Sequence, residues 1–206
     1  MTEKEKMLSG RYYDPSDEEL RSLRQKAHKL CTEYNNLEET NSRRVEILKE
    51  LGIKGYEDIY LQGPIQFDYG CFTSFGEHSY ANFNFVVLDT CPVTIGNNVF
   101  MGVNVSLLTA LHPLHYLDRN LFFDKEKDYW TDNEYGAPIT IEDNCWIASN
   151  VVVCPGVTIG EGSVIGAGSV VVKDIPKNSL AAGNPCRVIR EITEEDRKNI
   201  KKLVKD

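Results

Sequence analysis

Residues 141–172 read IEDNCW-IASNVV-VCPGVT-IGEGSV-IGAGSV-VV when cut into sixes. An aliphatic residue opens each unit, at Ile141, Ile147, Val153, Ile159, Ile165 and Val171. A tiny residue often follows (Ala148, Gly160, Gly166), and four places after the opener stands another small or apolar one: Cys145, Val151, Val157, Ser163 and Ser169. Each unit therefore offers two side chains to an interior. The period is too short for paired amphipathic helices, and Val, Ile and Gly favour short strands joined by tight turns. Three such strands per coil, stacked in parallel, bury one continuous core and satisfy the backbone between coils, which describes a parallel β-helix. About four to five coils at roughly 4.8 Å spacing would stand on the order of 20 to 25 Å tall.

The repeat extends upstream in looser form. From about Ile59 the chain turns aromatic and β-branched, and Phe75-Gly76, Ile95-Gly96 and Met101-Gly102 repeat the opener-plus-small pair. Between residues 111 and 138 the register disappears into HPLHYLDRNLFFDKEKDYWTDNEYGAP. A connection that long inside a compact repeat is functional or mobile.

Residues 1–58 form an N-terminal helical segment. Ser16 and Glu19 have capping-box spacing, and Leu20, Leu23, Ala27, Leu30, Cys31 and Tyr34 then recur at three- and four-residue steps, so one face is apolar. A second helix is expected over residues 42–51, with Val45, Leu48 and Leu51 on one face and Gly52 ending it. Two short helices with one apolar stripe each must pack on the repeat that comes after them in the chain. Beyond residues 59–190, the β-helix proper, a closing helix is expected over 191–206, beginning at Thr193 and carrying Ile200, Leu203 and Val204.

Composition narrows the functional classes. The 206 residues include 41% hydrophobic and 26% charged ones, as in a globular soluble chain. A formal net charge of −8 argues against a general nucleic-acid binder. No apolar run approaches the roughly 20 residues that span a bilayer, and the charged start MTEKEKMLSG lacks a signal-peptide core, so a cytoplasmic location is expected. The six cysteines show neither a C-x-x-C pair nor zinc-finger spacing and read as small buried hydrophobes.

The hexads, Tyr13-Asp14, ANFNFVVLD (81–89), ALHPL (110–114) and AAGNPCRVIR (181–190) together resemble the maltose and galactoside O-acetyltransferases, hexapeptide-repeat acyltransferases with a left-handed β-helix. The resemblance covers nearly the whole chain. It implies an all-β main domain, acetyl-CoA as co-substrate with no metal, a sugar acceptor, and a homotrimer whose active sites lie between neighbouring prisms. The left-handed winding is likewise what the resemblance implies.

Acetyl transfer to a hydroxyl needs a group that removes its proton, and histidine suits this near neutral pH. Of His28, His78, His112 and His115, the resemblance selects His112, at the root of the long stretch, as general base. By the same likeness Asn82 positions the acceptor hydroxyl or the imidazole, and Asp14, Asp68, Asn82 and Thr90 fall at acceptor contacts. Asp14 equally reads as a helix cap. At Asp68 and Thr90 the galactoside enzymes carry other residues, which argues against galactoside specificity. For the donor, Ser149 and Ala167 are one coil apart and match CoA contacts, as does Val172. Trp146 could wall the pantetheine channel or meet a neighbour, while Lys173, Arg187 and Arg190 match the cations that meet CoA phosphates. The competing readings are a non-sugar acceptor, a metal-dependent hydratase, which needs about three histidine ligands, and a non-catalytic scaffold.

Overall fold

The computed structural model describes residues 1–197. Its body is a prism with three walls of parallel strands. On one wall, Tyr60–Leu61, Tyr80–Ala81, Phe100–Met101, Trp146–Ile147, Val164–Ile165 and Ser179–Ala182 stack in register, and Tyr60, Tyr80, Phe100, Trp146, Val164 and Leu180 form an outward column. The second wall holds Ile65–Phe67, Phe85–Leu88, Ser106–Leu108, Val152–Val153 and Val170–Val171. The third holds Thr73–Phe75, Val93–Ile95, Ile139–Ile141 and Thr158–Ile159, with a ladder of Ser74, Thr94, Thr140 and Thr158 outside. We call these the aromatic, aliphatic and threonine walls.

The hexad reading of the interior holds: Ile141, Ile147, Val153, Ile159, Ile165 and Val171 are fully buried, and so are the companions Cys145, Val151, Val157, Ser163 and Ser169. In the first coils Phe67, Phe75 and Phe85 fill the same space by edge-to-face contacts. Two of the corners turn through left-handed backbone. His78, Asn98 and Asn144 occupy that conformation at one, and Asn84, Asn104 and Asn150 at the other. Asparagine tolerates a positive φ better than other non-glycine residues. The second set also forms a ladder, Asn84 Nδ2 donating to Asn104 Oδ1 and Asn104 Nδ2 to Asn150 Oδ1, each at 2.9 Å.

The third corner, between the aliphatic and threonine walls, breaks the rule. Tyr60 pairs with Tyr80 and Ile65 with Phe85, a period of 20, whereas Thr140 pairs with Thr158 and Val153 with Val171, a period of 18. Both early coils place their two additional residues at this corner, in 68–72 and 88–92. Thr94 pairs with Thr140, a step of 46 and so 28 beyond the 18-residue coil, and the surplus leaves at the same corner. The stretch expected to lack structure contains helix α4 (Tyr116–Arg119) and an antiparallel hairpin of Phe122–Asp124 with Tyr129–Thr131. Helix α1, Glu3–Leu8, precedes α2 (Glu18–Asn35) and α3 (Arg43–Glu50).

The helices close the open end of the prism. Asn35 acts as a neighbouring strand would, its Oδ1 accepting from Ile65 N at 2.7 Å and its Nδ2 donating to Ile65 O at 2.9 Å. Tyr34 OH donates to Leu61 O at 2.6 Å, and buried Arg44 lies over the Tyr34 ring while donating to Gln62 O at 2.6 Å. Unpaired strand edges are thereby covered. At the far end, Arg187–Glu191 pairs antiparallel with Ser179–Ala182.

Two local expectations change, and a third lies partly outside the described residues. The N-cap of α2 is Asp17, accepting from Glu19 N and Leu20 N, in place of the Ser16–Glu19 box: Ser16 is held one turn earlier, its N–H on Asp14 Oδ1 at 2.9 Å. In α3, Val45 is exposed and Ile47 is buried with Leu48, because Arg44 and Ile47 take the inward face. The capping box of Thr193 and Asp196 is present over a 3₁₀ turn, Glu194–Asp196; the expected helix with Ile200, Leu203 and Val204 lies outside the described residues. Among the described residues no helix is long and apolar enough to cross a membrane.

Candidate active site

The aliphatic–threonine corner holds both a buried carboxylate and His112. Its two lower layers are built around Asp89, a fully buried carboxylate that accepts from Tyr69 N and from Thr73 Oγ1, each at 2.9 Å. Burial pushes its pKa up, to about 6, although the hydrogen bonds act the other way. Above it, the hydroxyls of Thr90 and Thr109 lie 3.0 Å apart, and Thr109 Oγ1 accepts from Cys91 N at 2.9 Å. Thr90 is thus an internal support of the corner. Asp68, at the lowest layer, faces His28 of α2, with His28 Nε2 3.5 Å from Asp68 Oδ1. Burial raises the Asp68 pKa and His28 opposes that shift.

In the third layer the corner becomes the long insertion. His112 comes directly after the strand Ala110–Leu111, which pairs with Tyr135–Gly136 and brings the two roots of the insertion together. Its imidazole is half exposed between two carboxylates: Nδ1 is 3.7 Å from Asp132 Oδ2 and Nε2 3.9 Å from Glu134 Oε1. Pro113, the next residue in the chain, lines a cavity of about 320 Å³ with Tyr12, Asp118 and Asn133. A neighbouring cavity of about 190 Å³ includes Tyr12, Asn133 and Asp132 with Tyr13, Asp14 and Lys127.

The N-terminal segment folds onto this insertion. Tyr13 and Glu134 exchange backbone hydrogen bonds at 3.0 and 3.3 Å, and the Tyr13 hydroxyl donates to Glu134 Oε2 at 2.5 Å. Burial, with Glu134 beside it, moves the Tyr13 phenol far up, so it remains a donor. Asp14 is buried and capped by the hairpin, accepting from Lys127 Nζ at 2.5 Å, Tyr129 OH at 2.6 Å and Thr131 Oγ1. Burial alone would raise its pKa; the hydrogen bonds from Lys127, Thr131 and Tyr129 outweigh that and hold it at about 2. Neither residue doublet, Asp132/Glu134 nor Lys127/Tyr129, carries a signal in the sequence, because no repeat register fixes the insertion's geometry.

The remaining expected site residues divide between places. Asn82 stands at the aromatic–aliphatic corner, its Oδ1 accepting from Phe83 N at 2.8 Å. Ser149 and Ala167 continue that corner upward, Ser149 Oγ accepting from Val103 N at 3.2 Å and Ser149 O from Gly168 N at 2.9 Å. Gly102 is required there, since a Cβ would come within 2.7 Å of Ser149 N. Trp146 projects from the aromatic wall and is 54% exposed. Val172 and Lys173 are exposed at the aliphatic–threonine corner, above His112, while Arg187 and Arg190 lie on the closing strand, Arg190 donating two hydrogen bonds to Asp196 at 2.7 and 2.8 Å. One chain therefore groups Asn82 with Ser149 and Ala167, and places His112 at a different corner from all three.

His112, Asp132 and Glu134 are the candidate metal ligands among the described residues, with one ligand atom from each within 4.8 Å of the others. Among the described residues no second histidine joins the group.

The maltose acetyltransferase hexapeptide capping motif matches residues 6–51, bacterial transferase hexapeptide repeats match 138–173, and the hexapeptide repeat of succinyl-transferases matches 92–108. The galactoside O-acetyltransferase of Escherichia coli is 40% identical over 194 residues, covering 94% of this chain and 91% of that protein. This chain belongs to the maltose and galactoside O-acetyltransferase family. Within the family, a maltose O-acetyltransferase structure from Clostridium difficile 630 superposes with a TM-score of 0.83 at 44% identity, covering 94% of this chain and 99% of the other. A galactoside acetyltransferase solved in complex with coenzyme A gives 0.84 at 40% identity, with 97% of each chain covered. The capping motif of the family is the α1–α3 segment here, and its hexapeptide match spans the regular 18-residue coils.

Proposed function

We propose that the protein transfers the acetyl group of acetyl-CoA to a sugar hydroxyl, with His112 as general base. The observation that carries this reading is the placement of His112: half exposed at the root of the inserted corner, flanked by two carboxylates and next in the chain to Pro113, which lines a cavity of about 320 Å³. In a ternary complex the acceptor O–H gives its proton to the imidazole as oxygen attacks the thioester carbon. The tetrahedral intermediate then collapses, the C–S bond breaks, and the imidazolium protonates the departing thiolate. No acyl-enzyme is required. The buried Cys91 and Cys145 have thiols pushed up by burial, which disfavours a thiolate nucleophile.

The site is shared between copies of a cytoplasmic homotrimer. Asn82 and the donor residues Ser149 and Ala167 occupy a different corner from His112, so a neighbouring prism is needed to bring the two sets together. The aromatic wall suits that contact, with Tyr60, Phe100 and Trp146 exposed in one column. In this arrangement segment 1–58 serves the acceptor side through Asp14, with Asp68 beside it, and 59–190 carries the base and the donor site, where Trp146 and Val172 line the pantetheine and Lys173, Arg187 and Arg190 meet phosphate.

The test is a panel of neutral, amino and acidic sugars and non-sugar alcohols, assayed with acetyl-CoA by release of free thiol. Sugar-dependent thiol release is expected, and His112→Ala should lower it at least about 100-fold with the trimer intact. Unchanged transfer in that variant would reject the mechanism. Stoichiometric zinc in purified protein, with hydration activity lost on chelation, would instead favour the hydratase.

A further inference from the structure

We infer that Glu134 is a positioning residue for His112, and that Tyr13 of the N-terminal segment holds Glu134 in place for that task. The inference rests on the reading of His112 as the base. It starts from an asymmetry between the two carboxylates at the imidazole. Glu134 is fixed three ways by one residue: Tyr13 N–H donates to Glu134 O at 3.0 Å, Glu134 N–H to Tyr13 O at 3.3 Å, and the Tyr13 hydroxyl to Glu134 Oε2 at 2.5 Å. Tyr13 is itself only 3% exposed and packs with Met7, Leu20 and Tyr69. Of the two carboxylate oxygens, Oε2 is thus occupied by the phenol and Oε1 is turned to His112 Nε2 at 3.9 Å. Among the described residues Asp132 has no anchor of this kind: it approaches the other ring nitrogen at 3.7 Å and lines the 190 Å³ cavity.

The chemistry comes from that difference. An anchored carboxylate keeps the proton on the ring nitrogen turned toward it and leaves the other nitrogen as acceptor for the substrate hydroxyl's proton. When that proton arrives, the imidazolium faces a carboxylate that cannot swing away. At 3.9 Å the pair is beyond hydrogen-bond length, and such contacts tighten when substrate closes a site. The charged groups around the ring are Asp132 and Glu134 from the insertion; Arg24 of α2, hydrogen-bonded to Tyr69 OH at 2.7 Å, adds positive charge behind Tyr13 and Glu134. The N-terminal segment therefore does more than close the prism: through Tyr13 it sets the orientation of the base.

The experiment uses the full-length protein and reads the His112 tautomer from its imidazole ¹⁵N chemical shifts without substrate, alongside kcat and the acceptor KM of acetyl transfer. Glu134→Gln should reduce the share of His112 that carries its proton on Nε2, the nitrogen turned to Glu134. It should also reduce kcat about tenfold or more while leaving the acceptor KM within about twofold. Tyr13→Phe, which retains both backbone hydrogen bonds, should move the tautomer and kcat in the same directions by less, and it carries the test if Glu134→Gln fails to fold. A folded Glu134→Gln with an unchanged tautomer overturns the inference, as does a Tyr13→Phe variant equal to the parent on both readouts. A changed tautomer in a protein that acetylates no hydroxyl acceptor upholds the positioning of His112 and rejects the transferase reading beneath it.

Discussion

The carboxylate of Asp14 receives the hydroxyl of Tyr129 at 2.6 Å, joining two segments 115 residues apart. Lys127 and Thr131 bond to the same carboxylate, so one side chain gathers three polar attachments between the hairpin and the N-terminal segment. Asp14→Asn keeps the size and loses the charge. It should lower the thermal midpoint by several degrees and raise the acceptor KM, leaving the acetyl-CoA KM unchanged. Scanning calorimetry and initial rates check both.

The same carboxylate gives a pH dependence with a defined sign. Its folded pKa is depressed to about 2, so its contribution is present above the unfolded value of about 3.8 and is lost as pH falls from there toward about 2. The stability gap between the parent protein and Asp14→Asn should be constant from about pH 7 to about pH 5 and should close below about pH 4. A gap that is undiminished at about pH 2.5, measured by urea unfolding, contradicts the assignment.

Asp89 should behave oppositely. Its folded pKa is raised to about 6, so its stabilising contribution is full below about 3.8 and is lost as pH rises through about 6. Asp89→Asn can still accept from Tyr69 N and meet Thr73 Oγ1. Relative to the parent protein it should therefore gain stability between about pH 4 and about pH 6 and hold that gain above, read as a difference in thermal midpoint that rises and then levels off.

The asparagine ladder separates conformation from hydrogen bonding. Asn104 has φ +59 and bonds to both Asn84 and Asn150. Asn104→Gly loses the bonds but keeps an easy left-handed turn, while Asn104→Ala adds about 1 kcal/mol of strain. Alanine should be the more destabilising by about that amount in urea titrations, the reverse of the order in a helix.

At the donor end, Arg187→Ala and Lys173→Ala should each raise the acetyl-CoA KM several-fold without changing the acceptor KM. Arg190→Ala should do less, because its guanidinium is already paired with Asp196 at 2.7 and 2.8 Å. Equal effects from all three would show that the Asp196 pair gives way on binding.

Where the chain repeats, sequence reading places side chains well, because a six-residue period allows one inward register and Ile141 through Val171 keep it. It fails at residues whose position is set by contact across the fold. No pattern in the sequence marks Arg44, which is buried over Tyr34, and Asp14, read either as an acceptor contact or as a cap, is bonded to the hairpin. Asp132 and Glu134 sit inside the stretch without periodicity, so their approach to His112 depends on the pairing of Ala110–Leu111 with Tyr135–Gly136, four residues with no pattern of their own. The 20-residue period of the early coils is legible only as a looser register, since two additional residues at one corner leave every wall strand in phase.

That corner separates two tasks along one chain. Leu107 pairs with Val153 and Ile95 with Ile141, so the walls meet in step whatever length of chain is spooled out between residues 108 and 138. The prism works as a fixed spindle on which the insertion can lengthen or shorten, while the corner of Ser149 and Ala167, across the aliphatic wall, never has to move.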